Sequence, residues 1–408
     1  MAATLPSYSE AAEVVALRCA SLARNTRPMA VPLSQSLGCV LAHAISADRD
    51  MPAFPRSTRD GFACRASDIA SGSLHVAGST RAGQAPAPAL PANSAWEIMT
   101  GAPVPPGADC VVMLEHVEHD GGVIRLSAGW SIAAGENVVP VGSEAQMGQQ
   151  LIPTGVRLTA AHIAAAASCG YATLQVFAAP RVAIVTTGDE LVPVEANPGP
   201  AQIRNSNGPM LAALVTHAGG EPWLLPTARD NSDDLAAVLH EASKADMLLI
   251  SGGVSAGKFD LVEPALAELD AAFHFTGVRI QPGKPLVFGH LANGQPLFGL
   301  PGNPISSAAT FLLFARPVLA ALAGNSDPLP AFASARLTRE LKGKPGLTRF
   351  VPSHCRWASS PGESATVAAV GWQGSGDLAA FARANCFTVV PEGTDLLHAG
   401  ETVTVLPF

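Results

Sequence analysis

The sequence predicts a multidomain protein of the α/β and β classes: a central α/β domain with a mainly parallel sheet, a small β-rich domain before it and a C-terminal β-barrel or sandwich. Three observations predict this architecture. Strand-like and helix-like segments alternate between residues 181 and 322. Short Val, Ala and Leu runs cut by Pro and Gly fill residues 47–139, and alternating segments such as ETVTVLPF are typical of residues 327–408.

Length and composition bound the class of protein. A chain of 408 residues is longer than one hydrophobic core usually serves, so several domains are expected. With 48% apolar and 14% charged residues, it has the composition of a globular protein. A net charge of −8 disfavours binding to nucleic acid or to a membrane surface, because both attract clustered Lys and Arg. Any anionic ligand must therefore be held by local groups.

The chain carries no sign of export. Its start contains acidic Glu10 and Glu13 rather than the basic stretch of a secretion signal, and no apolar run reaches the length of a membrane span. The seven cysteines are scattered and never spaced as CxxC, so neither a disulfide framework nor a structural zinc site is expected. We expect a cytoplasmic protein with reduced thiols.

Two helices are predicted before the α/β region. Ser7 and Glu10 have the spacing of a capping box, and an Ala-rich apolar pattern follows them. The stretch GVRLTAAHIAAAASCG (155–170) predicts a second helix that stops at Gly170, since glycine accepts the left-handed conformation of a helix end.

The α/β region follows as alternating elements. Strands are predicted at RVAIVTT (181–187), PWLLP and DMLLI, with helices at NGPMLAALVTHA and DDLAAVLHEASKA between them. A last helix is predicted from Pro304 to Leu322, before the linker GNSDPLPAF. In open sheets of this kind ligands bind beyond the carboxyl ends of the strands, so the loops after each strand are the places to search.

Acidic residues follow two of these strands. Asp189 and Glu190 come after the first, where they could hold Mg²⁺ or orient water, although a turn or a helix cap explains the same string. Asp230 comes after PWLLP, and its alternative role is to cap the helix that begins near residue 232.

A glycine-rich loop follows the third strand. The string SGGVSAGKFD contains Gly252, Gly253, Ser255, Gly257 and Asp260. Glycines let backbone N–H groups turn inward and approach a phosphate closely, so this loop predicts a pyrophosphate nest. It matches neither the dinucleotide-binding GxGxxG pattern nor the P-loop GxxxxGK[ST] pattern.

Two proline-stiffened loops complete the strand ends. QPGKP (281–285) carries Lys284, and the string after LFGL carries Pro301, Gly302, Asn303 and Pro304. Such loops hold backbone amides and a cation rigidly near an anion, although tight turns explain them equally. Four polar loops on consecutive strand ends favour a shared phosphate and metal pocket. Outside this region, the loops TRDGF and MTGAP, with Asp60 and Thr100, are read from periodicity as ordinary turns.

These strings, in this order, resemble the molybdopterin molybdenumtransferase family (bacterial MoeA type and the gephyrin E-domain). The resemblance is dense over about residues 50 to 320. It is carried by MPAFPRSTRDGFACR, IMTGAPVPPGADCVVMLE, GENV, LIPTG, VAIVTTGDEL, QIRNSN, LLISGGVSAGKFD, IQPGKPLVFG and LFGLPGNPISSAATF.

The resemblance implies a particular domain plan. A first domain (residues 1–46 and 140–177) is split by an inserted β-rich domain (47–139). A molybdopterin-binding α/β domain (178–326), similar to the molybdopterin adenylyltransferase fold, and a C-terminal β-barrel (327–408) follow. The family acts as a homodimer with its site between subunits, which would bring Asp60 and Thr100 of one subunit to the other's carboxylates. Transient contact with the adenylyltransferase or with apo-molybdoenzymes is a further implied partnership.

The resemblance also implies a reaction and site roles. The family hydrolyses the pyrophosphate of adenylylated molybdopterin in the presence of Mg²⁺, releases AMP and transfers molybdate to the pterin. On this reading Glu190, Asp230, Asp260 and Asp189 hold the metal or position water, and Asp60 and Thr100 close the catalytic site. The substrate contacts are Gly252, Gly253, Ser255, Gly257, Lys284, Pro301, Gly302, Asn303, Pro304 and, from the C-terminal string GWQGSGD, Ser375.

Several positions depart from the family pattern. Val139, Gln281 and Pro352 stand where the family commonly has cations, and Glu144 replaces a usual Asp. Arg279, Lys284 and Arg349 are candidates to compensate. Two alternatives therefore stay open: a non-catalytic paralogue that binds or scaffolds molybdopterin, and a molybdopterin adenylyltransferase, which would consume ATP.

Overall fold

A computed structural model describes residues 5–22, 27–229, 231–253 and 262–408. The predicted opening helix is present, and its capping box has both hydrogen bonds: the Ser7 amide donates to Glu10 Oε2 at 2.7 Å and the Glu10 amide donates to Ser7 Oγ at 3.2 Å. Up to residue 177 the helices are α1 (Tyr8–Ser21), α2 (Ala66–Ser71) and α3 (Ala160–Ser168), and the strands are β1 (Pro28–Pro32), β2 (Ile45–Ser46), β3 (Arg56–Ser57), β4 (Gly61–Cys64), β5 (Leu74–Thr80), β6 (Ser94–Ile98), β7 (Cys110–Met113), β8 (Val117–Asp120), β9 (Val123–Leu126), β10 (Val138–Val139), β11 (Gln150–Ile152) and β12 (Thr173–Phe177).

The pairing of these strands shows an insertion. β1 pairs with β12 and β2 with β11, so segments far apart in the sequence lie side by side. Between them in sequence, a separate sheet has the order β7-β4-β6-β5-β9-β8. The chain therefore leaves one unit, builds a second around this sheet and returns.

The middle of the chain forms the α/β unit. Its strands are β13 (Arg181–Thr186), β14 (Leu191–Val192), β15 (Ile203–Arg204), β16 (Glu221–Leu224), β17 (Met247–Ser251), β18 (Ala272–Thr276), β19 (Ile280–Gln281), β20 (Val287–His290) and β21 (Pro296–Leu300), and its helices are α4 (Asn207–Ala218), α5 (Ser232–Ala242), α6 (Val262–Ala267), α7 (Pro304–Thr310) and α8 (Arg316–Leu322).

The central sheet is mainly parallel, as predicted. Its order is β16-β13-β17-β21-β20-β18. The first four strands are parallel, β20 runs antiparallel to β21, and β18 pairs antiparallel with β20. Strand β17 is buried on both faces, because Met247 and Leu249 pack into one hydrophobic core and Leu248 and Ile250 into another. The carboxyl ends of the four parallel strands therefore meet at one edge.

The predicted helix from Pro304 to Leu322 is continuous but contains a π-helical turn at Phe311–Ala315. Pro317 follows this turn, and a proline has no N–H to donate to the carbonyl of Leu313, so the local widening has a physical cause. The helix is long and apolar enough to cross a membrane, yet 89% of its most apolar stretch is buried inside the protein.

The C-terminal strands close into a barrel. They are β22 (Ala333–Leu337), β23 (Leu341–Lys342), β24 (Thr348–Arg356), β25 (Thr366–Ala369), β26 (Cys386–Val390), β27 (Leu396–Leu397) and β28 (Thr402–Pro407), with helix α9 (Leu378–Phe381). The sheet order β24-β25-β22-β28-β26 closes because β24 also pairs with β26. Strand β19 of the α/β unit adds to β24, so the two units share a sheet.

Candidate functional site

A cleft of about 790 Å³ lies at the carboxyl edge of the central sheet. We call it the strand-end cleft. Loops after β13, β17 and β21, together with the segment before α4, form most of its wall. It is lined by Thr186, Thr187, Gly188, Glu190, Leu191, Ile203, Arg204, Asn205, Ser206, Asn207, Ser251, Gly252, Gly253, Pro285, Pro301, Gly302, Asn303, Pro304, Gly376 and Leu378.

Two glycines give this cleft its close backbone approach. Gly252 and Gly253 have φ angles of +98° and +63°, in the left-handed region that side chains disfavour. A Cβ atom on Gly252 would lie 2.7 Å from the Thr187 carbonyl oxygen, and one on Gly253 would lie 2.7 Å from Val262 Cγ2. Glycine is therefore required at both positions by conformation and by space.

Glu190 is the described carboxylate that lines the cleft. A Cβ atom on Gly188 would lie 2.5 Å from Glu190 Oε2, so the carboxylate occupies the space that the glycine leaves free. The Glu190 carbonyl accepts a hydrogen bond from the Ile203 amide at 2.8 Å, which fixes its backbone beside β15. Asp189, next to it, is exposed and does not line the cleft.

Two asparagines of the QIRNSN string also belong to this cleft. Asn205 Nδ2 donates to Thr186 Oγ1 at 2.8 Å and to Thr227 Oγ1 at 3.3 Å. Asn207 Nδ2 donates to Ser251 Oγ at 2.8 Å and to the Gly302 carbonyl at 2.7 Å. The QIRNSN string entered the sequence prediction only through the family resemblance, and neither asparagine was among the predicted site residues.

A second cavity of about 570 Å³ adjoins the first. We call it the cationic cavity. It shares Pro285, Pro301 and Asn303 with the strand-end cleft, and the C-terminal barrel forms its far wall. Its lining is Ile280, Gln281, Pro282, Gly283, Lys284, Pro285, Pro301, Asn303, Ser306, Lys344, Leu347, Arg349, Trp372, Gln373, Gly374 and Ser375.

Three cations face the cationic cavity: Lys284, Lys344 and Arg349. Arg349 is paired in register with Gln281, one of the positions where the family commonly has a cation. Burial lowers the pKa of the Arg349 guanidinium, and its Nε is buried with no hydrogen-bond partner among the described residues. A cation on the neighbouring strand thus lies beside Gln281.

The other departures lie elsewhere. Pro352 is buried in the barrel opposite Phe387 and lines neither cavity. Arg279 is held by Glu392, at 3.4 Å, and by the Leu5 carbonyl, at 3.3 Å, so it is not a cavity cation. Val139 lies opposite Arg56, whose guanidinium pairs with Glu144 at 2.5 Å. Arg56 is thus paired with a carboxylate, and neither it nor Val139 lines either cavity.

Ser375 ties the barrel to the α/β unit. Its carbonyl accepts a hydrogen bond from the Ile305 amide at 3.0 Å, in the first turn of α7. It also lines the cationic cavity together with Gly374. The C-terminal loop is thus part of the cavity wall.

Asp60 and Thr100 lie next to each other in the inserted domain. Asp60 Oδ1 accepts hydrogen bonds from the Thr100 amide at 2.6 Å and from Thr100 Oγ1 at 2.8 Å. These bonds hold the pKa of the Asp60 carboxyl below its usual value. Both residues are exposed, and neither lines either cavity of its own chain.

Some predicted site residues lie outside the described residues, namely Asp230, Ser255, Gly257 and Asp260. The alternative cap for α5 is assigned to the neighbouring residue: Asn231 Oδ1 accepts from the Asp234 amide at 2.9 Å. Within the described ranges, no three His, Cys, Asp or Glu side chains are grouped closely enough to hold a metal ion.

Three family models match the chain in succession. Residues 6–170 match the MoeA N-terminal region (domain I and II), residues 183–321 match a probable molybdopterin binding domain, and residues 334–408 match the MoeA C-terminal region (domain IV). Together they define a MoeA-type architecture along almost the whole chain.

Known relatives also match the chain over almost its whole length. The chain is 37% identical to a molybdopterin molybdenumtransferase of Bacillus subtilis, covering 92% of this chain and 89% of that protein. It is 35% identical to molybdopterin molybdenumtransferase 2 of Mycobacterium tuberculosis, covering 95% and 96%. A molybdopterin biosynthesis MoeA protein of Pyrococcus horikoshii superposes with a TM-score of 0.82 at 27% identity, covering 99% of this chain and 100% of that one. The chain belongs to the molybdopterin molybdenumtransferase family.

Proposed function

We propose that this protein inserts molybdate into adenylylated molybdopterin during molybdenum cofactor biosynthesis, in the cytoplasm, and releases AMP. The observation that carries the proposal is the pair of adjoining cavities. One is floored by glycines at the strand ends and the other is lined by three cations, and both share a proline wall. One substrate carrying a pterin, a pyrophosphate and an adenosine could reach across both.

The reaction requires the hydrolysis of one P–O–P bond. Water supplies the oxygen that bonds to one phosphorus, and the bridging oxygen leaves with the other phosphate. In the proposal Glu190 orients this water and accepts its proton, because it is the described carboxylate at the strand-end cleft. Gly252 lets the backbone approach the phosphate closely while its own amide donates to the Leu300 carbonyl. The Gly253 amide and the Lys284 ammonium contact phosphate oxygens, and the loop from Pro301 to Pro304 holds the pterin.

Mg²⁺ is the proposed cofactor. Glu190 would hold it, with Asp189, Asp230 and Asp260 as the further carboxylates that the family resemblance implies, and when bound it would neutralise charge on the pyrophosphate. Carboxylate oxygens are the ligands that Mg²⁺ prefers, so the donor chemistry of Glu190 fits. Equilibrium titration of Mg²⁺ against wild type and Glu190→Gln tests this, since equal affinities would remove Glu190 from the metal site.

Molybdate is proposed to enter the cationic cavity. Lys284, Lys344 and Arg349 can neutralise an oxyanion there, and the placement of Arg349 opposite Gln281 supports activity despite the missing family cation. The site is proposed to be completed by a second subunit, because Asp60 and Thr100 line neither the strand-end cleft nor the cationic cavity of their own chain. Adenylyltransferase and apo-molybdoenzymes are the proposed transient partners for delivery and release.

The direct test uses purified protein, adenylylated molybdopterin, Mg²⁺ and molybdate. We expect release of AMP and cofactor that activates an apo-molybdoenzyme. Tight pterin binding without AMP release would instead support a non-catalytic paralogue, and consumption of ATP would support an adenylyltransferase.

The shared site has its own test. Asp60→Asn and Glu190→Gln should each be inactive alone, whereas subunits mixed after dissociation should recover roughly a quarter of wild-type activity, because half the dimers then contain one intact site. A mixture that stays inactive would contradict a site built from two subunits.

A further inference from the structure

The two asparagines of the QIRNSN string join the ends of four neighbouring strands. Asn205 bonds to Thr186 at the end of β13 and to Thr227 in the loop after β16. Asn207 bonds to Ser251 at the end of β17 and to Gly302 in the loop after β21. In the sheet order β16-β13-β17-β21, the two amides therefore tie the strand ends in adjacent pairs.

The two asparagine side chains differ in whether their Oδ1 atom has a hydrogen-bond partner. Asn205 Oδ1 accepts from the Gly208 amide at 3.0 Å, so both ends of that side chain are bonded within the protein. The Gly302 carbonyl can only accept, which fixes the Asn207 amide with Nδ2 towards it and Oδ1 on the other side. Asn207 Oδ1 is buried and has no hydrogen-bond partner among the described residues.

Thr187 Oγ1 is a second buried oxygen without a hydrogen-bond partner in the described part of the chain. Thr187 is only 7% exposed. It lies beside the two glycines, since a Cβ atom on Gly253 would approach it to 3.0 Å. Leaving a buried polar atom without a hydrogen-bond partner is unfavourable, so two such atoms beside a cleft indicate a bound ligand that supplies the partner.

We propose that Asn205 and Asn207 are positioning residues that set the spacing of the four strand-end loops, and that Asn207 also accepts a hydrogen bond from the substrate. The inference rests on the proposed function, because the loops it positions are those assigned to the pterin and the pyrophosphate. The group that Asn207 Oδ1 recognises must carry a hydrogen, such as a pterin N–H or a ribose hydroxyl. Ionised phosphate is excluded at this position.

Asn207→Asp tests the proposal with an isosteric change. It removes the hydrogen bond to the Gly302 carbonyl and places an oxygen opposite that carbonyl, whereas the Ser251 hydroxyl can turn and donate to the new carboxylate. The lost hydrogen bond and the repulsion between the two oxygens predict a KM for adenylylated molybdopterin raised about tenfold or more, with kcat much less affected. A merely structural role would reduce the folded fraction, which lowers kcat and leaves KM unchanged, and that result would overturn the proposal.

Asn293→Asp is the matched control. It makes the same chemical change at the exposed turn between β20 and β21, at the opposite end of the sheet, and Asn293 Oδ1 can keep its hydrogen bond from the Gln295 amide. We expect its KM to equal that of wild type. If Asn207→Asp does not fold, Ser251→Ala removes one of the two partners, and a single lost bond predicts a KM raised roughly twofold to tenfold. An unchanged KM in Ser251→Ala would then overturn the proposal.

Hydrogen exchange separates this proposal from the proposed function. The Gly252 amide donates to the Leu300 carbonyl at 3.1 Å and reports the spacing of β17 and β21 without any turnover. It should exchange about tenfold faster in Asn207→Asp than in wild type or Asn293→Asp. Wild type that released no AMP would refute only the proposed function, whereas unchanged exchange at Gly252 in Asn207→Asp would refute the positioning role.

Discussion

Replacing Gly252 by alanine should damage the strand-end cleft. The left-handed φ of +98° costs an L side chain about 1–2 kcal/mol. The new Cβ would also lie 2.7 Å from the Thr187 carbonyl oxygen and 2.9 Å from Thr187 Oγ1, and overpacking of this kind costs about 1–3 kcal/mol. The sum is a destabilisation of about 3 kcal/mol, with the loop displaced from Thr187.

Two other glycines provide controls for the backbone cost and the overpacking cost of Gly252→Ala. Gly38 has a φ of +79°, yet a Cβ there would meet nothing within 4 Å, so Gly38→Ala isolates the backbone cost. Gly302 has no left-handed φ, and a Cβ there would lie 3.6 Å from the Gly252 Cα, which is ordinary contact. Gly302→Ala should therefore be close to wild type in stability.

Thermal unfolding and AMP release measure the outcome. For a cooperative unit of about 150–250 residues, such as the α/β unit, roughly 2–4 °C per kcal/mol applies, so Gly252→Ala should lower the unfolding midpoint of that unit by roughly 6–12 °C. Its KM for the pterin substrate should rise because the loop has moved. Gly38→Ala should lose less stability and should have the same KM for the pterin substrate as wild type. The reasoning fails if Gly252→Ala is as stable as Gly302→Ala, or if Gly38→Ala loses as much stability as Gly252→Ala.

Three further predictions concern charge. Lys284→Met and Arg349→Met should each raise the KM for molybdate roughly tenfold or more, since a charge-assisted contact contributes about 1.5–3 kcal/mol, whereas Lys244→Met, at a surface ion pair with Glu241, should not. Hydrogen bonds from Thr100 lower the pKa of Asp60, so they stabilise the fold above the unfolded pKa of about 4; the deficit of Asp60→Ala in unfolding midpoint should shrink as pH falls towards about 3. Burial, Arg18 and His290 lower the pKa of His274, so as pH falls the unfolded state binds a proton on this histidine at a higher pH than the folded state does. Resistance to unfolding by urea should therefore decrease below about pH 6.5. The decrease should be smaller in His274→Phe.

Much of the α/β unit could be predicted from local pattern. The β-branched run at 181–187 and the short buried run at 247–251 are strands, because short apolar runs that end in turn residues favour a strand buried on both faces. Strand and helix alternation then dictates a parallel sheet, and parallel strands end at one edge. The convergence of Glu190, Gly252 and Pro301 on one cleft follows from those facts alone.

The far wall of the site could not be predicted in this way. Lys344 and Arg349 come from the barrel, and their approach to Lys284 depends on β19 pairing with β24, a register set by tertiary packing. Gln281 and Pro352 both stand where the family commonly has cations, and the sequence treats the two departures alike. The structure separates the two cases, because Gln281 has Arg349 beside it and Pro352 is buried away from both cavities.

One hydrophobic core is shared by three separate stretches of the chain. Ala11 and Val15 of α1, Phe314 of the π-helical turn and Phe350 of β24 belong to the same cluster, and Tyr8 meets Phe314 and Phe350 edge-on at ring-centroid distances of 5.9 and 5.1 Å. Each of these stretches matches a different family model, yet the cluster packs all three together. An exchange of one segment between relatives must therefore preserve the contact surfaces of the other two, so these stretches are expected to be inherited and to diverge together.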